Sequence, residues 1–505
     1  MDVLDYTDPS RPPTPREAGE AVRWAHTRLR RRMLSGSWLI DLIERLERDV
    51  GAIRRDAWGV PKITANPFRT MVRELAALHL VTPEVRSSSG DPIFGALAEA
   101  LRAGAVWAAM PEFQAMTLGL REYLWRLSAT PAGAIHYRPV PPDLVIAGSQ
   151  ADTPDVPVTI RELRWRSEWG WCWDRLDISD PGQPVYRVEK FGGTDVTQAA
   201  LGGDFDGDAY PYRDALDEPI LPYVLYHASA LRDRLWDWQA GIETVEATLD
   251  LAVLYTFLGH VLRDCSWPQR YVAGLRPAGT GVEGETAEAA HQAVVTDPAT
   301  LLVLEPSADS PGQALVGQWQ AGADPAAMEA VISSLANRIA VDAGLPPSDI
   351  QRMGGTARSG YAIALSNEGK RVAARRYAPV FRRYDEALVQ KTAIILNRAT
   401  GGNLPELGYA VIYRDLPLSP EELGARRKDV LERLEAGLLS PVDAYCELNP
   451  GTTRAQATRD LTRIAAERQT FATVGPPATA PAPEPGDGMG PGMEMTDMQG
   501  GGNGG

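Results

Sequence analysis

The chain has 505 residues, 44% of them hydrophobic, and a formal net charge of −15. That length exceeds one ordinary domain and predicts two to four structural units. The acidic balance excludes the usual free-standing nucleic-acid binder with a basic face, though not a single local basic patch. Cys172, Cys265 and Cys446 lie far apart with no CxxC spacing, which predicts no disulfide framework and folding in a reducing cytoplasm. The N-terminus is acidic and Pro-rich, unlike a signal peptide. The longest uncharged apolar stretch, Leu251–Leu262, falls short of the roughly 20 residues a membrane span needs. A soluble intracellular product is expected.

Residues 16–50 read as helices, and the segment RLRRR at Arg28–Arg32 reads as a solvated helix face. Asn66 as N-cap with Pro67 at the first position predicts a helix over 66–81, and two further helical patterns fill 92–127. Between 133 and 235 the chain turns β-rich and loop-rich. RELRWRSEWGWCWDRLDI and VYRVEKF flank the turn SDPGQP, the pattern of an antiparallel hairpin. A helix at 240–264 is apolar nearly all round in its second half and must be covered on several sides.

Residues 268–320 read as short strands (QRYVAGL, TLLVLEP, ALVGQWQ) around one short helix, ETAEAAHQAVV. Asp324 and Pro325 open a second helix, which Gly344 and Pro346–Pro347 stop. From Tyr361 a helical pattern runs to about Arg398, with Pro379 expected to kink it. GYAVIYRDLPL reads as a return strand. Ser419, Ser440 and Thr453 begin capping-box patterns of three short helices. From about 474 the Pro, Gly, Ala and Met-rich sequence predicts a disordered tail.

Several motifs fail on context. Gly279, Gly281 and Gly284 spell GxGxxG, but Glu283 and Glu285 would sit where a pyrophosphate must bind, and no flanking βαβ unit is present. Asp204, Asp206 and Asp208 alternate as in a calcium loop, yet Ala209 and Ala215 stand where an EF-hand needs Gly and Glu. Trp169, Trp171 and Trp173 share one face if the segment is a strand; a core face is favoured over a sugar- or base-stacking platform. The six histidines show no metal-ligand spacing, and His260 reads as an interior residue. Between 351 and 400, Arg352, Arg358, Lys370, Arg371, Arg375, Arg376, Arg382, Arg383, Lys391 and Arg398 face only Glu368, Asp385 and Glu386. That excess of seven positive charges reads equally as a helix paired with acidic neighbours or as a polyanion contact.

The serial order of these parts resembles the portal proteins of tailed bacteriophages, the siphophage-type head-to-tail connector portal. The resemblance lies in NPFRTMVRELAALHL followed by YRPVPPDLVI, in two helices bracketing a small insert, and in GGTARSGYAIALSNEGKRVAARRYAPVFRRYDEALVQKTAIIL. It implies an α+β fold assembling into a ring. Its parts would be a wing (1–239), a first stem helix (240–266), a small α/β clip (267–322), a second stem helix (323–345) and a tunnel loop (346–360). A long kinked wing helix with its return strand (361–418), an α-helical crown (419–473) and the disordered tail (474–505) complete it.

The same resemblance implies a homododecamer at the unique capsid vertex of the virion, made in the host cytoplasm. It would be a conduit for double-stranded DNA in packaging and ejection, with no cofactor, no metal, no membrane and no enzymatic activity. Implied partners are the terminase large subunit, then the head–tail adaptor protein, with major capsid protein and scaffold at the wing. The loop facing DNA would comprise Gln351, Arg352, Met353, Gly354, Gly355, Thr356, Arg358 and Ser359. Lys370, Arg371 and Arg375 would add basic contacts, and Pro379 would mark the kink. The competing reading is a carbohydrate- or metal-binding protein, or an enzyme, built on the Trp-rich sheet and the Asp cluster.

Overall fold

Cap chemistry starts the helices where the sequence places it. The computed structural model describes residues 12–15, 17–50, 66–130, 133–201, 210–230, 233–266, 269–273, 275–277, 304–306, 315–319, 324–342, 360–416, 420–449 and 452–473. Helices α1 (Ala18–Ser35) and α2 (Leu39–Val50) lead to α3 (Pro67–Leu75). There the Asn66 side chain accepts from the Arg69 amide at 2.9 Å, a cap of about 1 kcal/mol. This helix stops at Leu75, short of the expected 81, and a 3-10 turn follows at Leu78–Leu80. Strand β1 (Glu84–Arg86) and helices α4 (Ala96–Ala103) and α5 (Val106–Leu120) come next.

The helical reading of 92–127 is corrected beyond Leu120. Residues Glu122–Ala129 form strand β2, followed by β3 (Ile135–Val140). After a 3-10 turn at Pro142–Leu144 come β4 (Val145–Gln150), β5 (Thr153–Arg166), β6 (Gly170–Asp177) and β7 (Val185–Lys190). Helix α6 (Thr197–Leu201) and strand β8 (Tyr223–His227) complete this part. Strands β3-β2-β8 form one antiparallel sheet and β4-β5-β6-β7 another. The expected hairpin around SDPGQP is β6–β7, with Asp177 opposite Val185. Its first arm is itself folded, because β5 and β6 pair across a turn at residues 167–169.

The two sheets meet through apolar side chains and one ionic cluster. Leu124, Val140, Ile160, Cys172, Leu176, Tyr223 and Leu225 form the apolar part. Among them, Arg126 of β2 donates to Glu162 of β5 (2.7 Å), Asp174 of β6 (2.8 Å) and the Tyr186 hydroxyl (2.9 Å). Arg138, Arg164 and Arg166 close the remaining carboxylate positions, and Tyr223 donates to Glu162. The arginines outweigh the burial of Asp174 and hold it down at about 2. A buried charge is tolerated only when paired this completely.

The outer face of the four-stranded sheet carries Leu163, Trp165, Trp171 and Trp173, covered by the fully buried Trp24 of α1. The tryptophan face is therefore core. Trp169 is corrected: it precedes the strand, before Gly170 at φ 74°, and packs on the inter-sheet side. The RLRRR segment is corrected too. Arg30 is buried, Arg31 and Arg28 pair with the buried Asp143 at 2.9 and 3.5 Å, and Arg32 pairs with Asp41.

Helix α7 (Ile242–Ser266) and helix α8 (Pro325–Asp342) pack through Leu251, Leu258 and Ile332. By length and composition, Ile242–Leu262 is long and apolar enough to cross a membrane. The uncharged stretch within it is Leu251–Leu262, and the core helix of a soluble protein passes the same test. Between the two helices lie β9 (Gln269–Ala273), β10 (Leu275–Pro277), β11 (Leu304–Pro306) and β12 (Leu315–Trp319). They pair as nested antiparallel couples, β9 with β12 and β10 with β11. The expected helix at 285–295, the glycines 279, 281 and 284, and Asp204, Asp206 and Asp208 lie outside the described residues.

Helix α9 (Gly360–Thr400) runs 41 residues without a break through Pro379, and β13 (Ala410–Ile412) returns to pair with β1. Residues Met1–Pro417 form one compact unit and Leu418–Gly505 a second. The second contains α10 (Pro420–Glu435), α11 (Pro441–Leu448) and α12 (Arg454–Thr473). Ser440 and Thr453 cap the last two, accepting from the Asp443 and Gln456 amides. Ser419 and the tail from 474 lie outside the described residues.

Candidate functional site

Helix α9 has two faces of opposite character. The inner face carries Ala373, Phe381, Leu388, Val389 and Ile395 into the main core. The outer face exposes Val372, Arg375, Arg376, Pro379, Arg382 and Arg383, which fall three, four and seven residues apart and so share one side of the helix.

The basic residues separate by partner. Lys370 pairs with Glu74 at 3.1 Å, and Arg383 with Asp155 at 2.7 Å. Arg371 is buried. Arg398 donates to the Arg213 carbonyl. The half-buried Lys391 donates to the carbonyls of Leu221 and Tyr223, and desolvation lowers its pKa to about 8. Arg375, Arg376 and Arg382 remain exposed and, among the described residues, form no ion pair with an acid. Arg376 and Arg382 lie over the rings of Tyr377 and Tyr413 at 5.6 and 5.9 Å. The cationic surface is thus three arginines, one of which, Arg375, belongs to the expected set. Gln351, Arg352, Met353, Gly354, Gly355, Thr356, Arg358 and Ser359 lie outside the described residues.

Behind that surface sits a cluster the sequence did not signal. Asp385 of α9 accepts from Tyr226 (2.8 Å), Tyr413 (2.6 Å) and His79 Nε2 (2.8 Å). Gln114 Oε1 lies 3.3 Å from both the amide and Nδ1 of His79. Burial and the adjacent carboxylate hold both tyrosine hydroxyls protonated, far above their usual range. The cluster ties α9 to the 3-10 turn at Leu78–Leu80 and to β8. An apolar groove of about 510 Å³ is lined by Val85, Ile93, Leu101 and Trp107, the last stacked on His79 with ring centroids 6.5 Å apart. Among the described residues, no group of three or more His, Cys, Asp or Glu side chains is placed to hold a metal ion.

No protein-family model matches the chain, and no curated protein matches it. A search of solved structures finds a chain from the neck of an empty GTA particle computed with C6 symmetry. The likeness to that neck protein is weak. The two are 15% identical, with a TM-score of 0.38, over 76% of this chain and 90% of that one.

Proposed function

We propose that the chain is the portal subunit of a tailed-phage-type particle, a ring at one capsid vertex through which double-stranded DNA passes. The observation that carries this reading is the arrangement around α7 and α8. Two helices pack on each other, bracket an insert of nested strand pairs, and are followed by a 41-residue helix with a cationic outer face.

Exposed apolar surface supports assembly. Val331 and Val341 of α8 are 61% and 60% exposed, and Leu262 of α7 is 46% exposed. Apolar surface of this kind on a helix pair is natural where neighbouring copies cover it. In the second unit, the buried apolar side chains among the described residues are Val430, Ala444 and Ala457, while Leu423, Leu431 and Leu438 are exposed. So small a core also favours packing against further copies.

In this reading the subunit is a dodecameric conduit with no catalysis and no cofactor of its own. The terminase large subunit supplies ATP hydrolysis, and a head–tail adaptor replaces it after packaging. The major capsid protein and scaffold meet the part before α7, and the assembled ring resides in the virion. Arg375, Arg376 and Arg382, with Arg352 and Arg358 of the 351–359 loop, make weak, sequence-independent contacts to phosphate. Negative-stain images of the purified protein test the reading: closed rings with a central channel support it, and a field of single globular particles overturns it.

A further inference from the structure

Residues 236–240 join the sheet region to α7, and nearly every one is gripped separately. The Arg23 guanidinium lies 4.1 Å from the Trp236 ring centroid. The Asp237 carboxylate accepts from Arg121 at 3.0 Å, while its amide donates to Glu122 Oε1. Trp238 stacks on His26 with ring centroids 4.9 Å apart. The Ala240 carbonyl accepts from Arg30 at 2.7 Å, and Arg30 also reaches the Gly119 carbonyl at 3.2 Å.

The grips have two sources. Arg23, His26 and Arg30 lie on one face of α1, at i, i+3 and i+7. Arg121 and Glu122 are the first two residues after α5, where Arg121 adopts φ 77°. That left-handed conformation is costly for a residue with a side chain and persists where its surroundings impose it. The Ala240 amide returns to the Asp237 carbonyl, so the segment is a tight turn.

We propose that residues 236–240 form a strap that opens and closes as a unit at the base of α7, with Glu122 as its proton-sensitive pin. Glu122 is buried, and its partner is a main-chain amide of the strap itself. Facing it are Arg23 and Arg30 of α1, Arg121 beside it and Asp237 on the strap, with Glu243 of α7 near Arg30. Directly opposite on β8 is His227, buried and flanked in turn by Arg383 and Asp155. Desolvation outweighs the arginines and pushes Glu122 up to about 7.

An open strap admits water and returns Glu122 toward its ordinary value of 4.5. The closed form then holds a neutral carboxyl where the open form holds a carboxylate. Closure is strongest at low pH and is lost as pH rises toward the closed-state value. The opening constant rises about tenfold per pH unit over that window and levels above about 7. His26 and His227 are both shifted down by burial and oppose this slope, so the contribution of Glu122 is isolated as a ratio.

Hydrogen–deuterium exchange of the full chain tests it, following amides 233–245 from pH 5 to 8.5 with intrinsic rates removed. The opening constant of wild type divided by that of Glu122→Gln should rise about tenfold per pH unit up to about 7 and then level. A ratio that does not change with pH overturns the proposal. If Glu122→Gln does not fold, Arg121→Gln supplies the second arm. Loss of that cation should move the levelling point to higher pH, and an unmoved levelling point equally overturns it.

Discussion

His79 and Asp385, 306 residues apart in the chain, share a 2.8 Å hydrogen bond between wholly buried side chains. With Tyr226 and Tyr413 donating to the same carboxylate, one residue of α9 satisfies three donors from three other segments. Replacing Asp385 by Ala should cost about 3–5 kcal/mol, since three buried donors lose their acceptor. Urea denaturation monitored by tryptophan fluorescence checks this; a loss below about 1 kcal/mol would mean the cluster is not what fixes α9.

The Arg126 cluster carries a pH signature of definite sign. Asp174 is held at about 2 and Glu162 also below its usual range. Both are therefore depressed relative to the unfolded chain. Their contribution is complete above about pH 4.5 and is lost as pH falls toward 2. Arg126→Met should cost about 3–5 kcal/mol at pH 7, and the gap from wild type should narrow in acid. Denaturation midpoints of both proteins from pH 7 to 3 measure it.

What was legible in the sequence was local. Asn66, Asp324, Ser440 and Thr453 start helices because a cap needs only its own first turn. Strand β2 was misread because its first six residues are all buried, so no alternation distinguishes strand from helix. The RLRRR segment looked solvated because its partner Asp143 lies more than a hundred residues on. The basic residues of α9 were visible as a charge excess, but the pairing of Lys370 and Arg383 depends on the distant Glu74 and Asp155. No spacing rule could bring His79 to Asp385.

The exposed arginines make a separable prediction. Arg375→Gln, Arg376→Gln and Arg382→Gln together should leave assembly unchanged and weaken DNA association. The slope of log affinity against log salt should fall by about one per arginine that touches phosphate. An unchanged slope would return these residues to the status of a solvated helix face.

The proposed portal role makes residues 351–359 a moving part of the DNA channel. Gly354→Val with Gly355→Val removes conformational freedom and should leave rings intact while reducing DNA packaged per particle. Packaging at the wild-type level would take the loop out of the mechanism.

Ring formation is decided by native mass spectrometry of the purified 505-residue chain. A closed assembly of twelve 54.8 kDa chains should dominate and persist across protein concentrations and moderate salt. Monomers and dimers alone under every condition would contradict it.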